Sequence, residues 1–153
     1  NHGVLIEYAE PLEKPTIFPN TDALIKSVDH TGIVVSDISL AEKTFTEHFG
    51  FALDNNRGGE NEALGIKNSF INVAGSALEL IVPLVEQGPV AKFSSEHGEG
   101  VFLLSFVVDE KDKVVDKLRS EDIRVSDPVG GVAFVHPKST NGINMQLMVK
   151  KES

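Results

Sequence analysis

The chain has 153 residues, a formal net charge of −9, five His and no Cys. That length suits one domain with a full core. The missing Cys excludes disulfides, zinc–thiolate sites and Cys nucleophiles. The acidic balance, with no basic stripe, argues against nucleic acid as a partner and offers no attraction to anionic membranes. No apolar run approaches the length of a membrane span, no secretory leader is read at the start, and cytoplasm is the default placement.

In chain order, residues 3–8 read as a short strand. Pro11, Pro15 and Pro19 then interrupt regular structure, so residues 11–26 are expected to be a linker. A strand is expected at 28–36, apolar enough to be buried on both faces. Ser39 and Glu42 have the spacing of a capping box and open a helix. Ala41, Phe45 and Phe49 share one face of it, and Gly50 is its stop. Strands follow at 51–54, 64–73 and 77–83, with turns at Gly58-Gly59 and Ala74-Gly75-Ser76. Residues 86–100 form a middle connection with one helical turn at 90–94.

The second half repeats the first. A strand at 101–108 leads to a helix at 112–120 with Val114, Val115 and Leu118 inward, then strands at 123–126, 132–136 and 143–149. Gly130-Gly131 and residues 138–142 separate the last three. Residues 28–37 and 101–110 are two copies of one pattern, which makes the repeat the first thing to read. The fold class is α+β: paired βαβββ units, 27–85 and 101–150, forming a cupped mixed sheet over residues 27–150. Helices can cover only one side of such a sheet, and the concave side is where a small ligand would sit.

The two copies differ in one chemical respect: where the first has His30, the second has Leu103. His30 alone on an apolar strand reads most simply as a hydrogen-bonded core residue. Glu79, on the apolar strand 77–83, is harder to explain structurally, because a buried carboxylate needs a cation, a hydrogen-bond network or an open cavity. No Gly-x-x-x-x-Gly-Lys pattern follows a strand, so neither glycine pair makes a phosphate loop.

The run Val28-Asp29-His30-Thr31-Gly32-Ile33-Val34-Val35, the run Ala77-Leu78-Glu79-Leu80-Ile81-Val82-Pro83-Leu84 and the tail Phe134-Val135-His136-Pro137-Lys138-Ser139-Thr140-Asn141-Gly142 stand in order along the chain. Together they resemble the vicinal oxygen chelate superfamily, which includes the glyoxalases and the drug-sequestering bleomycin resistance proteins. Within it they are most similar to methylmalonyl-CoA epimerases. The resemblance covers residues 27–150. It implies four metal-ligand positions, which fall on His30, Glu79, Leu103 and Gln146. Leu cannot ligate, so three donors remain for a divalent zinc, cobalt, manganese or nickel ion.

The resemblance further implies an epimerase, isomerase or lyase acting through an enolate on a small acyl thioester or 2-oxo compound. The amide of Gln146 stands where relatives carry a catalytic carboxylate. Glu62, with Glu60 nearby, is the other candidate for proton transfer. Leu103, His136 and Lys138 are the expected substrate contacts. A metal-free binding module of the same fold is the alternative, with Leu103 as part of an apolar floor. Residues 1–10 resemble the family's last strand, with Glu7 aligned to Gln146. They are expected to be either the end of an upstream module in a tandem protein or an added strand that brings Glu7 to a site. A homodimer is the other assembly that the resemblance implies.

Overall fold

The computed structural model describes residues 3–7 and 23–149. Most of the expected linker lies outside the described residues. The sheet has seven strands: β1 (Ser27–Val34), β2 (Ala52–Asn61), β3 (Ile66–Val73), β4 (Ser76–Pro83), β5 (Gly100–Val107), β6 (Ala133–Val135) and β7 (Met145–Met148). Their order across the sheet is β2-β3-β4-β1-β5-β7-β6. β1 pairs parallel with β4, β5 pairs parallel with β7, and β1 meets β5 antiparallel at the centre. The two repeat units therefore join through their first strands in a mixed, open sheet.

The first helix, α1 (Ile38–Lys43), continues as a π-helical turn over Thr44–His48. Its cap is Asp37, not the expected Ser39. Asp37 has extended backbone and its carboxylate accepts a hydrogen bond from the Leu40 N–H at 3.0 Å, which leaves Ser39 as the second residue of the helix. Glu42, freed from a capping role, accepts a hydrogen bond from Ser69 Oγ at 2.5 Å. Ala41 and Phe45 bury against Ile33, Val35, Ile71 and Leu80 on the convex face. Val4 and Ile6 pack on the same cluster. Residues 3–7 join no strand, and Leu5 between them is 96% exposed.

Gly58-Gly59 is not a turn but lies inside β2, which runs on to Asn61. The ladder with β3 is irregular between Leu53 and Gly58. A Cβ at Gly58 would fall 2.7 Å from the Asn68 carbonyl oxygen, so the glycine permits a close backbone approach within the sheet. The chain reverses instead at residues 62–65. The middle connection holds a full helix, α2 (Pro89–His97), with Pro89 at its first position. The repeat helix is α3 (Lys111–Ser120). The expected strand at 123–126 is reduced to one bridge, Val125 to Val135. β6 is short because Gly130-Gly131 precede it and a 3₁₀ turn, Pro137–Ser139, follows.

Candidate active site

Strand alternation puts His30, Gly32 and Val34 on the opposite face of β1 from Ile33 and Val35. This is the concave face, and it borders a cavity of about 1770 Å³. Glu79, Leu103 and Gln146 line it, together with the apolar Ile66, Ile81, Phe93, Phe102 and Phe134. The registers repeat across the two units. Glu79 on β4 is level with Gly32 on β1, and Gln146 on β7 is level with Ser105 on β5. Glu79 and Gln146 are thus equivalent positions of the two halves.

In the antiparallel centre His30 faces Ser105, and Gly32 faces Leu103. Leu103 is buried and fills the space that the missing side chain of Gly32 leaves: a Cβ there would lie 2.8 Å from Leu103 Cγ. The position that would carry the second imidazole holds packed hydrocarbon.

His30 is buried and sits between two carboxylates. Its Nδ1 is 2.8 Å from Asp29 Oδ2 and its Nε2 is 3.1 Å from Glu79 Oε2. The Nε2 contact is a charge contact only, since no partner lies where the ring nitrogen could make a proper hydrogen bond. Burial disfavours the imidazolium, but Glu79 and Asp29 together outweigh it and hold the His30 pKa above its ordinary value of 6.5. Asp29 is buried too, which alone would favour its neutral form. Its bonds to His30 and Arg57 prevail and lower its pKa below 3.8. Arg57 Nη2 reaches Asp29 Oδ2 at 2.6 Å, and the guanidinium carbon stands 4.0 Å over the Phe70 ring. At the far end, Asn68 Nδ2 donates to Glu79 Oε1 at 2.5 Å. Arg57, Asp29, His30, Glu79 and Asn68 form one continuous polar chain through an otherwise apolar layer.

Among the described residues, no three His, Cys, Asp or Glu side chains are grouped to hold a metal. The donor set that remains is the imidazole of His30, the carboxylate of Glu79 and the amide oxygen of Gln146. It fits a divalent cation in one observable respect: Gln146 Oε1 is buried without a hydrogen-bond partner, and His30 Nε2 and the Glu79 carboxylate already converge at 3.1 Å. Lone pairs left unpaired in the interior are costly unless something occupies them.

The other expected site residues are spread more widely. His136 lines the cavity, where its Nδ1 accepts the Lys138 N–H at 3.1 Å and shapes the 3₁₀ turn. Lys138 is exposed and is not among the lining residues. Glu62 is exposed in the 62–65 turn, next to Ala63 and Leu64, which do line the cavity. Glu7 is exposed at the end of the segment that packs on the convex face, and it does not line the cavity. Sequence reasoning missed Asp29, Arg57, Asn68 and Ser105. Asp29 and Ser105 leave a signal, a polar residue inside an apolar strand. Arg57 and Asn68 leave none, because only strand pairing brings them to the site.

A family model described as the Glyoxalase/Bleomycin resistance protein/Dioxygenase superfamily matches residues 29–135. An uncharacterized protein of Bacillus subtilis (strain 168), YqjC, is 27% identical over 131 residues, which is 81% of this chain and 92% of the relative. The mitochondrial methylmalonyl-CoA epimerase of Dictyostelium discoideum is 29% identical over 94 residues, 56% of this chain and 57% of that protein. The crystal structure of methylmalonyl-CoA epimerase from Mycobacterium tuberculosis superposes with a TM-score of 0.78 at 26% identity, covering 86% of this chain and 92% of that one. With the match running from the Asp29-His30 pair on β1 to Val135 on β6, the chain belongs to the glyoxalase/bleomycin resistance protein/dioxygenase superfamily.

Proposed function

We propose that this protein is an isomerase, epimerase or lyase that moves a proton next to the carbonyl of a small acyl thioester or 2-oxo acid. One observation carries the reading: the lining of a mostly apolar cavity holds a carboxylate and an amide, with an imidazole 3.1 Å from the carboxylate, and the amide oxygen is buried with no hydrogen-bond partner. His30, Glu79 and Gln146 would hold a divalent cation there. When bound, the cation supplies a Lewis acid for the carbonyl oxygen. The remaining work falls to this chain's own groups. Asp29 holds the His30 ring in place. The apolar walls exclude water from an acidified C–H. Glu62, in the turn beside the cavity-lining Ala63 and Leu64, would exchange the proton, because the amide of Gln146 cannot accept one. The cavity volume of about 1770 Å³ exceeds what a free small acid needs, which favours a thioester with its carrier. Likeness to epimerases that act on methylmalonyl-CoA supports the same substrate class.

Elemental analysis of the unchelated protein beside His30→Ala tests the metal. Incorporation of solvent deuterium at the α-carbon of acyl-CoA thioesters tests the chemistry. Near-stoichiometric metal lost in His30→Ala, with α-exchange, is the expected result. A metal-free binding module is the second reading, favoured by Leu103 sealed over Gly32. Tight binding of an apolar ligand with neither metal nor exchange would establish it instead.

A further inference from the structure

Among the described residues, three buried side-chain polar atoms lack any hydrogen-bond partner: His30 Nε2, Ser105 Oγ and Gln146 Oε1. They are not scattered. His30 faces Ser105 across β1 and β5, and Ser105 is level with Gln146 across β5 and β7. Three adjacent strands thus present one polar residue each, in a row, with neighbouring backbones about 4.8 Å apart. Directly paired residues point to the same face of a sheet, so the row lies on the concave face. Ser105 is fully buried, and His30 and Gln146 are nearly so. Three unsatisfied groups at random places would each need a separate explanation. In a row they need one.

The repeat sharpens this. Aligning His30 with Leu103 is an offset of 73 (103 − 30), and the same offset sets Ser105 against Gly32 (105 − 32). The second unit lacks an imidazole at Leu103, but it has a hydroxyl where the first unit has glycine. The register puts that hydroxyl beside the surviving imidazole, and puts the glycine beside the leucine.

We propose that Ser105 supplies the donor that Leu103 cannot, so that one divalent cation is held by His30, Ser105 and Gln146 together with Glu79. A cation uses lone pairs from the hydroxyl and amide oxygens, which have no partner, and from His30 Nε2 and Glu79, which already stand 3.1 Å apart. This inference rests on the metal reading given above and adds a ligand to it.

Titration of the chelator-treated full chain with cobalt(II) tests it, using wild type, Ser105→Ala and Ser105→Cys. Ser105→Ala removes a hydroxyl that is unsatisfied without metal, so the metal-free melting temperature is expected to hold or rise. Cobalt affinity is expected to fall about tenfold or more. Ser105→Cys is expected to add a thiolate-to-cobalt charge-transfer absorption that wild type lacks. Wild type that binds cobalt, with both variants binding equally well and no new absorption, would overturn the role of Ser105 alone. Wild type that binds no cobalt would overturn the metal reading, and the assignment of Ser105 with it.

Discussion

Asp29 and His30 are consecutive in β1, yet the carboxylate of one lies 2.8 Å from the ring of the other on the same buried side. Ordinary alternation would point them to opposite faces. The β1–β5 register slips between Val28 and His30, which makes Asp29 the extra residue of a bulge. The bulge turns a core strand into a holder for an imidazole. With Nδ1 engaged by Asp29, Nε2 is the nitrogen presented to Glu79 and to any cation.

Asp29→Asn is therefore expected to keep the fold and lose the orientation. Cobalt affinity should fall about 10- to 100-fold, with His30→Ala lower still. Nitrogen-15 NMR of the His30 ring in the metal-free protein gives a second readout, since the tautomer should become mixed. Unchanged affinity with unchanged ring shifts would show that Asp29 only fills space.

The two shifted groups also set a pH window for stability of the metal-free protein. His30 has a folded pKa above its unfolded 6.5. Its contribution is fully present below the unfolded value and is lost as pH rises through the folded one. Asp29 has a folded pKa below 3.8. Its contribution is present above 3.8 and disappears as pH falls through the folded value. Melting temperature measured from about pH 4 to about pH 9 should be highest on the mildly acidic side and decline toward alkaline pH. His30→Ala should flatten the alkaline decline. Arg57→Ala should lower the melting temperature at neutral pH and flatten the acid side, because Arg57 is one of the two partners that hold the folded Asp29 pKa below its unfolded value. A wild-type curve without the alkaline decline would contradict the placement of His30 between two carboxylates.

Gly32 and Leu103 form a matched pair, one missing a side chain where the other fills the gap. Gly32→Ala places a Cβ 2.8 Å from Leu103 Cγ and 3.1 Å from Ile81 Cδ1. Overpacking of this kind is expected to cost about 1–3 kcal/mol. Leu103→Ala empties the same space and is expected to cost about 2–5 kcal/mol. The double variant should cost less than the sum of the two, because the added methyl occupies room that the leucine vacated. Chemical denaturation of all four proteins measures the coupling. Strict additivity would mean that the two residues do not share the space.

The fold was legible because the repeat is long and its strands are apolar. Val28 to Val35 and Val101 to Val108 announce themselves as apolar central strands, although Val28 and Val101 at their starts stay about half exposed. Glu79 was legible as a cavity residue, since a lone carboxylate between Leu78 and Leu80 has few other places to go. The residues that hold His30 were much less legible. A bulge at Asp29 depends on how β1 pairs with β5, which no pattern within residues 28–37 encodes. Arg57 reaches Asp29 from 28 positions away, from the irregular stretch of β2 just before the Gly58-Gly59 pair that reads by itself as a turn. Ser39 was mistaken for the helix cap because the capping box fits by spacing alone, whereas Asp37 wins by having the extended backbone that a cap needs.

The proton-transfer group is open to a direct test. Gln146 lines the cavity but its amide has no basicity, and Glu79 is tied to Asn68 and His30. Glu62 is exposed in the 62–65 turn, and its neighbours Ala63 and Leu64 line the cavity. Glu60, two residues earlier, lies in β2 opposite Lys67. Glu62→Gln should lower kcat for α-proton exchange by about 10²- to 10⁴-fold with metal content unchanged. Glu60→Gln should leave both alone. Loss of exchange in Glu60→Gln, with Glu62→Gln intact, would move the base from the turn to the strand. Loss in neither variant would remove both carboxylates from the chemistry and return the role to a residue that lines the cavity.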